Sequence, residues 1–320
     1  AVIIPIKNEL DKLPALLDAL NRQKGVEFQL IVIDDNSDDA GFDYIAKRKH
    51  QFSDMLLLPN EGTGKKQAIK TAINHTECEL IVSLDADCIP GENWLKTIAH
   101  FYDASKPDLI ICPVNMTIGS SFVQRFQQFE FISLIGSGAG AAGAGMPILC
   151  NGANLAFTRE AWRASEAELH FDTPSGDDIF LLQSIKKRGG SIEFLKSENA
   201  MVDTKPQTSW KAFMTQRSRW AGKMSIYKDF QLTATALIVA SMSALIPISL
   251  ALSIADNRFV FILLIVFAVK WLADTLFFND IKSFFSLKSI VVPSLVFSLI
   301  YPFYIVLTLI IIPFRSKNSW

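Results

Sequence analysis

Through residue 114, short apolar runs alternate with segments in which apolar residues recur every three or four positions. The first pattern predicts buried strands and the second predicts amphipathic helices. Strands are expected at residues 1–6, 28–33, 54–59, 79–84 and 107–114, with helices between them. Because strands that are apolar on both faces need cover on both sides, we predict an α/β domain with a mostly parallel sheet.

Three of the predicted strands run directly into polar clusters. Asp34 and Asp35 follow the second strand, an Asn-Glu-Gly segment at 60–62 follows the third, and Asp85 and Asp87 follow the fourth. In open parallel sheets, ligands bind outside the carboxyl ends of the strands. We therefore expect these clusters to converge on one edge of the sheet.

The alternation stops after Val114, and an aromatic segment follows at residues 119–135. Its phenylalanines fit an amphipathic helix at a membrane surface, and they equally fit a helix whose aromatic face packs in a core. The Gly/Ala tract after it contains a formal GxGxxG at Gly138, Gly140 and Gly143. A dinucleotide fingerprint belongs in the first strand-turn-helix unit, so we interpret this tract as a flexible or close-packed segment.

The final third of the chain is almost continuously apolar, with segments at residues 232–255, 259–278 and 290–312. Each is long enough to cross a bilayer, which takes about 20 apolar residues. Lys270 and Asp274 lie one helical turn apart in the second segment, and we expect them to pair inside a helix bundle. The alternative is that Lys270 snorkels to the interface. The prolines of the third segment leave a re-entrant hairpin or an interfacial pair of helices open as alternatives to a span.

Composition narrows the class of protein. The 320 residues are 50% hydrophobic, with a mean hydropathy of +0.26 and a formal net charge of −1. This charge offers no bulk attraction to nucleic acid, so we expect no nucleic-acid partner. The four cysteines have no metal-finger spacing and favour a reducing compartment. The chain opens in a strand pattern without an initiator methionine, and we expect its natural N-terminus to lie upstream.

The strand-end acids support two interpretations. If the fourth strand ends at Leu84, Asp85 and Asp87 can both reach one Mg²⁺ or Mn²⁺ that bridges to a diphosphate. Alternatively, they cap the turn that follows. Asp35 likewise either hydrogen-bonds a nucleoside or caps the next helix.

Two later motifs are equally ambiguous when each is taken alone. Asp177 and Asp178 start a predicted helix, where the macrodipole favours acids; repulsion between them would also raise the pKa of a carboxyl facing a cleft, as a general base requires. In the QRSRW segment, Arg219 can bind a phosphate and Trp220 can stack on a sugar or base, with Gln216 beside them. A basic, aromatic anchor next to the membrane is the alternative.

The order in which these motifs occur along the chain indicates a protein family more specifically than any single motif does. The chain reads PxxNE, DDxSxD, GKxxA, DAD, NGAN, GDD and QxxRW, followed by the apolar segments. This set resembles the family-two glycosyltransferases of the GT-A fold, and most of all the membrane-integrated branch that includes cellulose and hyaluronan synthases. The resemblance covers about residues 1–225. It implies a Rossmann-like GT-A catalytic domain at residues 1–228, with 119–135 as a candidate interfacial helix, and a transmembrane region at 229–320.

The resemblance also implies roles for individual residues. The implied donor-binding residues, at the nucleoside and the phosphates, are Pro5, Glu9, Asp35, Lys65 and Asp85. The implied ligands of Mg²⁺ or Mn²⁺ are Asp87 and, with it, Asp85. The implied catalytic residues are Asp178, as the base, and Asp177. The implied residues of the acceptor and diphosphate side are Asn151, Asn154, Gln216, Arg219 and Trp220.

The same resemblance implies an inverting, metal-dependent hexosyltransferase for cell-envelope glycans. It would use a UDP- or GDP-sugar and lie in the bacterial inner membrane among membrane lipids, with a cytoplasmic catalytic domain. The chain has only three apolar segments after QxxRW and no gating loop, so we predict transfer to a lipid, lipid-linked or glycan acceptor. The alternatives are a processive polysaccharide synthase and a non-catalytic nucleotide-sugar-binding membrane protein. The presence of Asp178 and Arg219 disfavours the non-catalytic alternative.

Overall fold

The computed structural model describes residues 1–173, 176–223 and 226–311. By contact, the chain forms two compact units. The first, here called the sheet unit, consists of residues 1–117 and 137–205. The second, here called the helical unit, consists of residues 118–136 and the chain from residue 206 onward. The prediction of a catalytic domain at 1–228 followed by a transmembrane region at 229–320 divides the chain at one point, whereas the contacts divide it at three.

The strands all belong to the sheet unit. In chain order they are β1 (Val2–Ile6), β2 (Leu30–Asp34), β3 (Met55–Pro59), β4 (Leu80–Leu84), β5 (Ile89–Pro90), β6 (Leu109–Ile111), β7 (Val114–Met116), β8 (Asn154–Thr158), β9 (Ile192–Phe194) and β10 (Val202–Thr204). The main sheet has the order β3-β2-β1-β4-β8-β6-β9, and β5-β10-β7 form a small second sheet. In the main sheet, β8 is antiparallel to both of its neighbours and the other pairs are parallel. The predicted α/β, mostly parallel architecture is confirmed.

The helices, in chain order, are α1 (Leu13–Asn21), α2 (Gly41–Ala46), α3 (Lys65–Asn74), α4 (Trp94–Ser105), α5 (Phe122–Gly143), α6 (Arg159–Ser165), α7 (Asp177–Lys187), α8 (Trp210–Ala221), α9 (Phe230–Ala255), α10 (Val260–Ile281) and α11 (Val291–Ile311). Short 3₁₀ turns lie at Lys49–Gln51, Glu166–Glu168, Glu198–Ala200 and Asn257–Phe259. Helix α1 shows the predicted pattern, since the leucines at its helical spacing, Leu13, Leu16, Leu17 and Leu20, are all buried.

The strand order creates a switch point between β1 and β4. The chain proceeds from β1 to β2 and β3 on one side, and then places β4 on the other side of β1. Crevices at such points are where open α/β sheets bind ligands. The polar segments that follow β1, β2, β3 and β4 all leave the sheet at this edge, because these four strands are parallel.

Pro5 lies where β1 and β4 separate. The two strands pair at Val2 and Ile3, whereas β1 pairs with β2 along its whole length. The N–H of Val2 and the C=O of Ile6 both bond on the β2 side. Since backbone groups alternate in direction along a strand, the backbone at position 5 faces β4. Proline has no N–H to offer there, so Pro5 favours an open crevice between β1 and β4.

The helical unit contains three candidate membrane spans. Helix α9 and helix α11, together with the stretch Asn257–Ile281 that includes α10, are long and apolar enough to cross a bilayer. Helix α11 is continuous through Pro302, so the re-entrant hairpin is wrong for the described residues. Lys270 and Asp274 pair within α10, with Nζ 2.6 Å from the carboxylate. The predicted pairing is confirmed, and its location inside a bundle at membrane depth stays a prediction.

Helix α5 joins the aromatic segment to the Gly/Ala tract. Of its four phenylalanines, only Phe122 is exposed, while Phe126, Phe129 and Phe131 are buried. Phe126 packs against rings of α8 and α11, and Phe129 packs against Phe278 of α10. The core-packed interpretation therefore describes these three side chains, and location at a membrane surface stays a prediction. The formal GxGxxG lies within this helix rather than in a loop before one.

Candidate active site

Hydrogen bonds and an ion pair join four segments of the sheet unit around Lys65. This lysine is the first residue of α3, and its Nζ lies 2.6 Å from Asp85 at the end of β4 and 3.5 Å from Asp177 at the start of α7. It also donates to the carbonyl of Gly152, just before β8, at 2.9 Å. One ammonium group thus links the DAD and GDD motifs, which are about 90 residues apart in sequence.

Gly152 has no room for a side chain. A Cβ built there would lie 3.1 Å from Asp177 Oδ2, 3.1 Å from Lys65 Nζ and 3.4 Å from Asp178 Cβ. The sequence analysis named Asn151 and Asn154 of NGAN but missed this glycine between them. Its signal was present, since an isolated glycine beside a strand often marks a close approach.

Burial and charge oppose each other in this cluster. Burial raises the pKa of Asp85 to about 6, although the cation of Lys65 opposes the shift. For Lys65, burial favours the neutral amine, but the nearby carboxylates of Asp177 and Asp85 prevail and raise its pKa. Lys65 is therefore a permanent cation at this edge of the sheet.

Asp178 is held differently from its neighbour. Its carboxylate accepts hydrogen bonds from the N–H of Gly152 at 2.9 Å and from the N–H of Ile179 at 2.8 Å. Burial, followed by the charge of Asp177, raises the pKa of Asp178, while Lys65 and the two N–H groups oppose the rise. A carboxylate held in place with a raised pKa is suited to accept a proton.

Asp35 is buried and bonded within the protein. It accepts from the side chain of Asn60 at 2.7 Å and from the N–H of Gly64 at 2.9 Å and 3.0 Å, and Lys7 lies 3.4 Å away. These bonds connect the end of β2 to the loop that precedes α3. The side chain thereby fixes the turn that delivers Lys65, and its predicted contact with a nucleoside stays a prediction.

Asp87 is the exposed acid of the DAD segment. The hydroxyl of Thr204 lies 3.5 Å from its carboxylate, at the limit of a hydrogen bond, and the thiol of Cys88 donates to it at 3.5 Å, an ordinary distance for sulfur. Glu9 forms an ion pair with Lys12. Burial raises the pKa of Glu9 and the charge of Asp87 adds to the rise, whereas the ammonium group of Lys12 opposes it.

The donor set fits a divalent cation shared with a diphosphate. Mg²⁺ in such sites usually takes one or two carboxylates, with the remaining ligands from phosphates and water. Asp87 is exposed and the side chain of Asp85 is 38% exposed. Within the described part of the chain, no group of three or more His, Cys, Asp or Glu side chains is arranged to hold an ion by itself. The ion would therefore depend on substrate oxygens.

The two asparagines of NGAN differ in environment. Asn154 is fully buried, and its amide bonds to the indole of Trp94 at 3.0 Å and to the carbonyls of Pro113 and Ala200 at 2.8 Å and 2.9 Å. All its side-chain polar atoms are used inside the protein, so a direct acceptor contact is not available in this arrangement. Asn151 is half-buried and accepts from the N–H of Ala153.

The QRSRW residues belong to the helical unit. Gln216, Arg219 and Trp220 lie on α8 and are half-buried. The sequence analysis passed over Arg217 between them, although it is the most buried basic residue of that helix. Arg217 makes a buried ion pair with Glu130 of α5.

Comparison with known proteins finds partial sequence relatives among glycosyltransferases. An undecaprenyl-phosphate 4-deoxy-4-formamido-L-arabinose transferase of Photorhabdus laumondii is 35% identical over 92 residues, which cover 27% of this chain and 28% of that protein. Glycosyltransferase AglE of Haloferax volcanii is 28% identical over 135 residues, which cover 40% of this chain and 44% of the relative. The chain thus aligns with less than half of either relative's length.

A solved structure resembles nearly the whole chain. Mannosyltransferase PcManGT from Pyrobaculum calidifontis, in complex with GDP-Man and Mn²⁺, has a TM-score of 0.60 over 98% of this chain and 86% of that one, at 17% identity. At that identity the likeness concerns the fold. Residues 1–160, half of the chain, match the family described as "Glycosyl transferase family 2". The match includes the strand-end acids and Lys65. The chain therefore belongs to glycosyl transferase family 2, and its sheet unit has the GT-A fold.

Proposed function

We propose that the protein is an inverting glycosyltransferase that moves a sugar from a UDP- or GDP-linked donor to a lipid or lipid-linked acceptor at a membrane. The observation that carries the proposal is the convergence of Lys65, Asp85, Asp177 and Asp178 at the switch point of the sheet. The same chain contains three candidate membrane spans, which indicate a membrane protein. We further propose that the protein is related to the cellulose and hyaluronan synthase branch. In this proposal it lies in the bacterial inner membrane, and its catalytic domain is cytoplasmic.

The donor would bind along the carboxyl edge of β1 to β4. Asp87, with Asp85, would hold Mg²⁺ or Mn²⁺; when bound, this ion would neutralise charge that develops on the leaving diphosphate. Lys65 is placed to add a fixed positive charge on the same side. Pro5, Glu9 and Asp35 would border the part of the crevice that we assign to the nucleoside. GT-A enzymes generally depend on a divalent metal, which agrees with the chemistry of this donor set.

The transfer step uses Asp178 as the base. An acceptor hydroxyl oxygen attacks the anomeric carbon on the face opposite the diphosphate, and the bond from that carbon to the phosphate oxygen breaks. The hydroxyl proton passes to Asp178, and the nucleoside diphosphate leaves with the bonding electron pair. The N–H groups of Gly152 and Ile179 hold the carboxylate in place for this transfer.

The acceptor is proposed from the helical unit and from the relatives. A chain with three apolar helices is suited to a substrate that resides in the membrane, and one relative is named as an undecaprenyl-phosphate transferase. Asn151 would border the acceptor, with Asn154 positioning the start of β8. Gln216, Arg219 and Trp220 would hold the diphosphate and the acceptor end. A lipid phosphate is the second candidate acceptor, and its ionised oxygen would need no base.

The decisive experiment is a screen for donor turnover. The purified protein, in detergent with MnCl₂, is incubated with single nucleotide sugars and a bacterial lipid extract, and released UDP or GDP is measured. We expect release with one donor that depends on the extract, together with a glycosylated lipid product. Product length on a gel separates transfer of single sugars from processive synthesis. Nucleotide binding without release from any donor would instead favour the non-catalytic nucleotide-sugar-binding protein.

The metal assignment has its own test. We expect Asp87→Ala to abolish Mn²⁺-dependent binding of UDP or GDP in calorimetry, because it removes the exposed carboxylate of the pair. Asp43→Ala, which removes an exposed carboxylate on α2, is the matched control and should bind as wild type does. Unchanged binding by Asp87→Ala would contradict the metal role.

A further inference from the structure

The helical unit contains an ion pair that is almost inaccessible to solvent. Arg217 of α8 donates from Nε to both carboxylate oxygens of Glu130, at 2.8 Å and 3.0 Å, and from Nη2 at 2.5 Å. Both side chains are 3% exposed. The hydroxyl of Tyr304 in α11 donates a further bond to Glu130 at 3.2 Å. Helices α5, α8 and α11 therefore meet at one carboxylate.

Such a pair is not explained by stability alone. Removing two charges from water is costly, and apolar residues of similar volume often serve stability equally well. Most of the surrounding positions are already aromatic, since Phe126, Phe213 and Tyr304 pack on one another beside the pair. A packed aromatic core would join these helices without any charge. The arginine therefore calls for a second role.

Apart from Glu130 and the rings of Phe213 and Phe131, at 5.0 Å and 5.9 Å from its guanidinium carbon, Arg217 contacts two residues of the QxxRW motif. Its Nη1, which is not used by Glu130, donates to Gln216 Oε1 at 2.7 Å. Its guanidinium carbon lies 4.2 Å from the ring centre of Trp220. A residue that the motif leaves unspecified thus contacts two of the residues that define it.

The contact with Gln216 determines which end of the amide is presented. A guanidinium has only donors, so the atom it touches must be the amide oxygen. The NH₂ group of Gln216 must then point elsewhere, and it is a pure donor. Donors are what the oxygens of a diphosphate require. Without Arg217 the amide could rotate and present its oxygen, which would repel a phosphate.

We propose that Arg217, anchored by Glu130, is a positioning residue that holds Gln216 as a hydrogen-bond donor and orients Trp220 for the donor diphosphate. This inference rests on the proposed function, in which QxxRW binds the diphosphate. Arg217 acts through Gln216 and Trp220 and does not itself touch the substrate. Its contribution is to affinity for the nucleoside diphosphate, beyond any contribution to folding.

Arg217→Lys separates the two contributions. Lysine keeps a cation beside Glu130, but it has one nitrogen and no planar group, so it cannot also hold Gln216 and stack on Trp220. We expect the variant to melt close to wild type and to bind UDP or GDP with MnCl₂ about tenfold more weakly, the loss expected for one hydrogen bond to a charged group. Arg188→Lys is the matched control, since Arg188 bonds to serine hydroxyls and backbone carbonyls at the end of α7. That control should leave nucleotide affinity unchanged.

A double-mutant cycle tests whether Arg217 acts through Gln216. Gln216→Ala should weaken nucleotide binding by itself, and adding Arg217→Lys should weaken it little further. The charge swap Glu130→Arg/Arg217→Glu adds a second comparison. It restores an ion pair, but a carboxylate at position 217 can only accept hydrogen bonds. Compared with either single substitution, the swap should therefore raise the melting temperature towards wild type without restoring nucleotide affinity. A purely structural pair predicts that both recover.

The possible results of these experiments distinguish failure of this inference from failure of the proposed function. Equal affinity of wild type and Arg217→Lys, or full additivity in the cycle, would overturn the inference while leaving the proposed function intact. If wild type binds neither UDP nor GDP with MnCl₂, the proposed function fails and the inference with it. If Arg217→Lys melts more than about 10 °C below wild type, Glu130→Leu/Arg217→Met replaces it, because replacing both partners leaves no uncompensated buried charge. Unchanged affinity in this double variant would then overturn the inference.

Discussion

Asp177 and Asp178 are adjacent in sequence but have different partners. Lys65 lies 3.5 Å from Asp177, which ties that carboxylate to the DAD side of the cluster. Asp178 is held by two backbone N–H groups instead, so its position does not depend on a side chain that also contacts Asp85. The pair thus divides into an acid that balances a lysine and an acid that is placed to accept a proton. This difference supports Asp178 as the base.

Asp178→Asn should separate chemistry from binding. The amide has nearly the same shape but cannot accept the acceptor's proton, so we expect transfer to fall by about 10²- to 10⁴-fold with UDP or GDP affinity unchanged. Turnover and calorimetric binding are measured on the same preparation. Asp172→Asn, at an exposed acid in the loop before α7, is the control and should match wild type. A parallel loss of nucleotide binding would make Asp178 a structural residue.

The pH profile of transfer gives a second reading of the same residue. Burial and then the charge of Asp177 raise the pKa of Asp178 above its usual range, against Lys65 and the N–H groups of Gly152 and Ile179. A base must be unprotonated, so activity should fall as pH is lowered through this raised pKa. The residual activity of Asp178→Asn should lack this part of the fall and keep only the part caused by protonation of Asp85, whose pKa is about 6. A lipid-phosphate acceptor, which needs no base, would instead leave Asp178→Asn with most of its activity.

At the scale of elements, two helices begin at the candidate site, and a glycine with positive φ precedes each. Gly64 (φ +87°, ψ +162°) precedes α3, and Gly176 (φ +91°) precedes α7. The backbone of Gly64 lies in a region that is essentially restricted to glycine. Its N–H also bonds to Asp35. These glycines allow the sharp entry that places Lys65 and Asp177 in the first turns of their helices.

Gly64→Ala should destabilise the protein. The region of φ and ψ that it occupies costs a residue with a side chain about 1–3 kcal/mol, so we expect a lower melting temperature and weaker nucleotide binding. Gly91→Ala is the control, because a Cβ at that position meets nothing within 4 Å and the backbone there is not in a positive-φ conformation. Thermal unfolding of both variants is compared. Equal melting temperatures for the two would contradict the role of Gly64.

Local sequence patterns predicted which segments form strands and helices better than they predicted which segments pack together. The strands before Asp35 and Asp85 were readable because a run that is apolar on both faces fits only a covered sheet. The convergence of their carboxylates on one edge of the sheet was predicted from the parallel direction of the strands alone. The burial of Phe126 and Phe129 was not readable, since an aromatic stripe looks the same whether lipid or protein covers it. Gly152 was missed because its importance lies in side chains that are distant in sequence.

At the scale of the whole chain, the sequence predicted an α/β region followed by apolar helices, but not the way residues are shared between the units. Residues 118–136 leave the sheet unit and belong to the helical unit, and the chain then returns to form β8. Glu130 and Arg217 are 87 positions apart, so no local pattern connects them. A composition change marks where the apolar third begins, whereas a long-range ion pair leaves no such mark.

We predict that removing one partner of the Lys270–Asp274 pair destabilises the protein more than removing both. Lys270 lies ten residues into α10, about 15 Å along its axis, and so near the middle of a bilayer core about 30 Å thick if α10 spans it. Asp274 also accepts a hydrogen bond from Ser298 of α11 at 2.5 Å. Asp274→Leu would leave Lys270 charged without its carboxylate, and breaking a buried pair in this way costs about 3–5 kcal/mol.

Replacing both partners should cost much less, because no uncompensated charge remains. We therefore expect the melting temperature in detergent to fall strongly for Asp274→Leu and to return most of the way towards wild type for Lys270→Met/Asp274→Leu. Lys282→Met is the control, since this lysine lies at the end of α10 and makes an exposed bond to Asn279. A double variant as unstable as Asp274→Leu would mean that the instability comes from losing the bond between Asp274 and Ser298, and not from leaving Lys270 without a counter-charge. A single variant as stable as wild type would place Lys270 in water or among lipid headgroups.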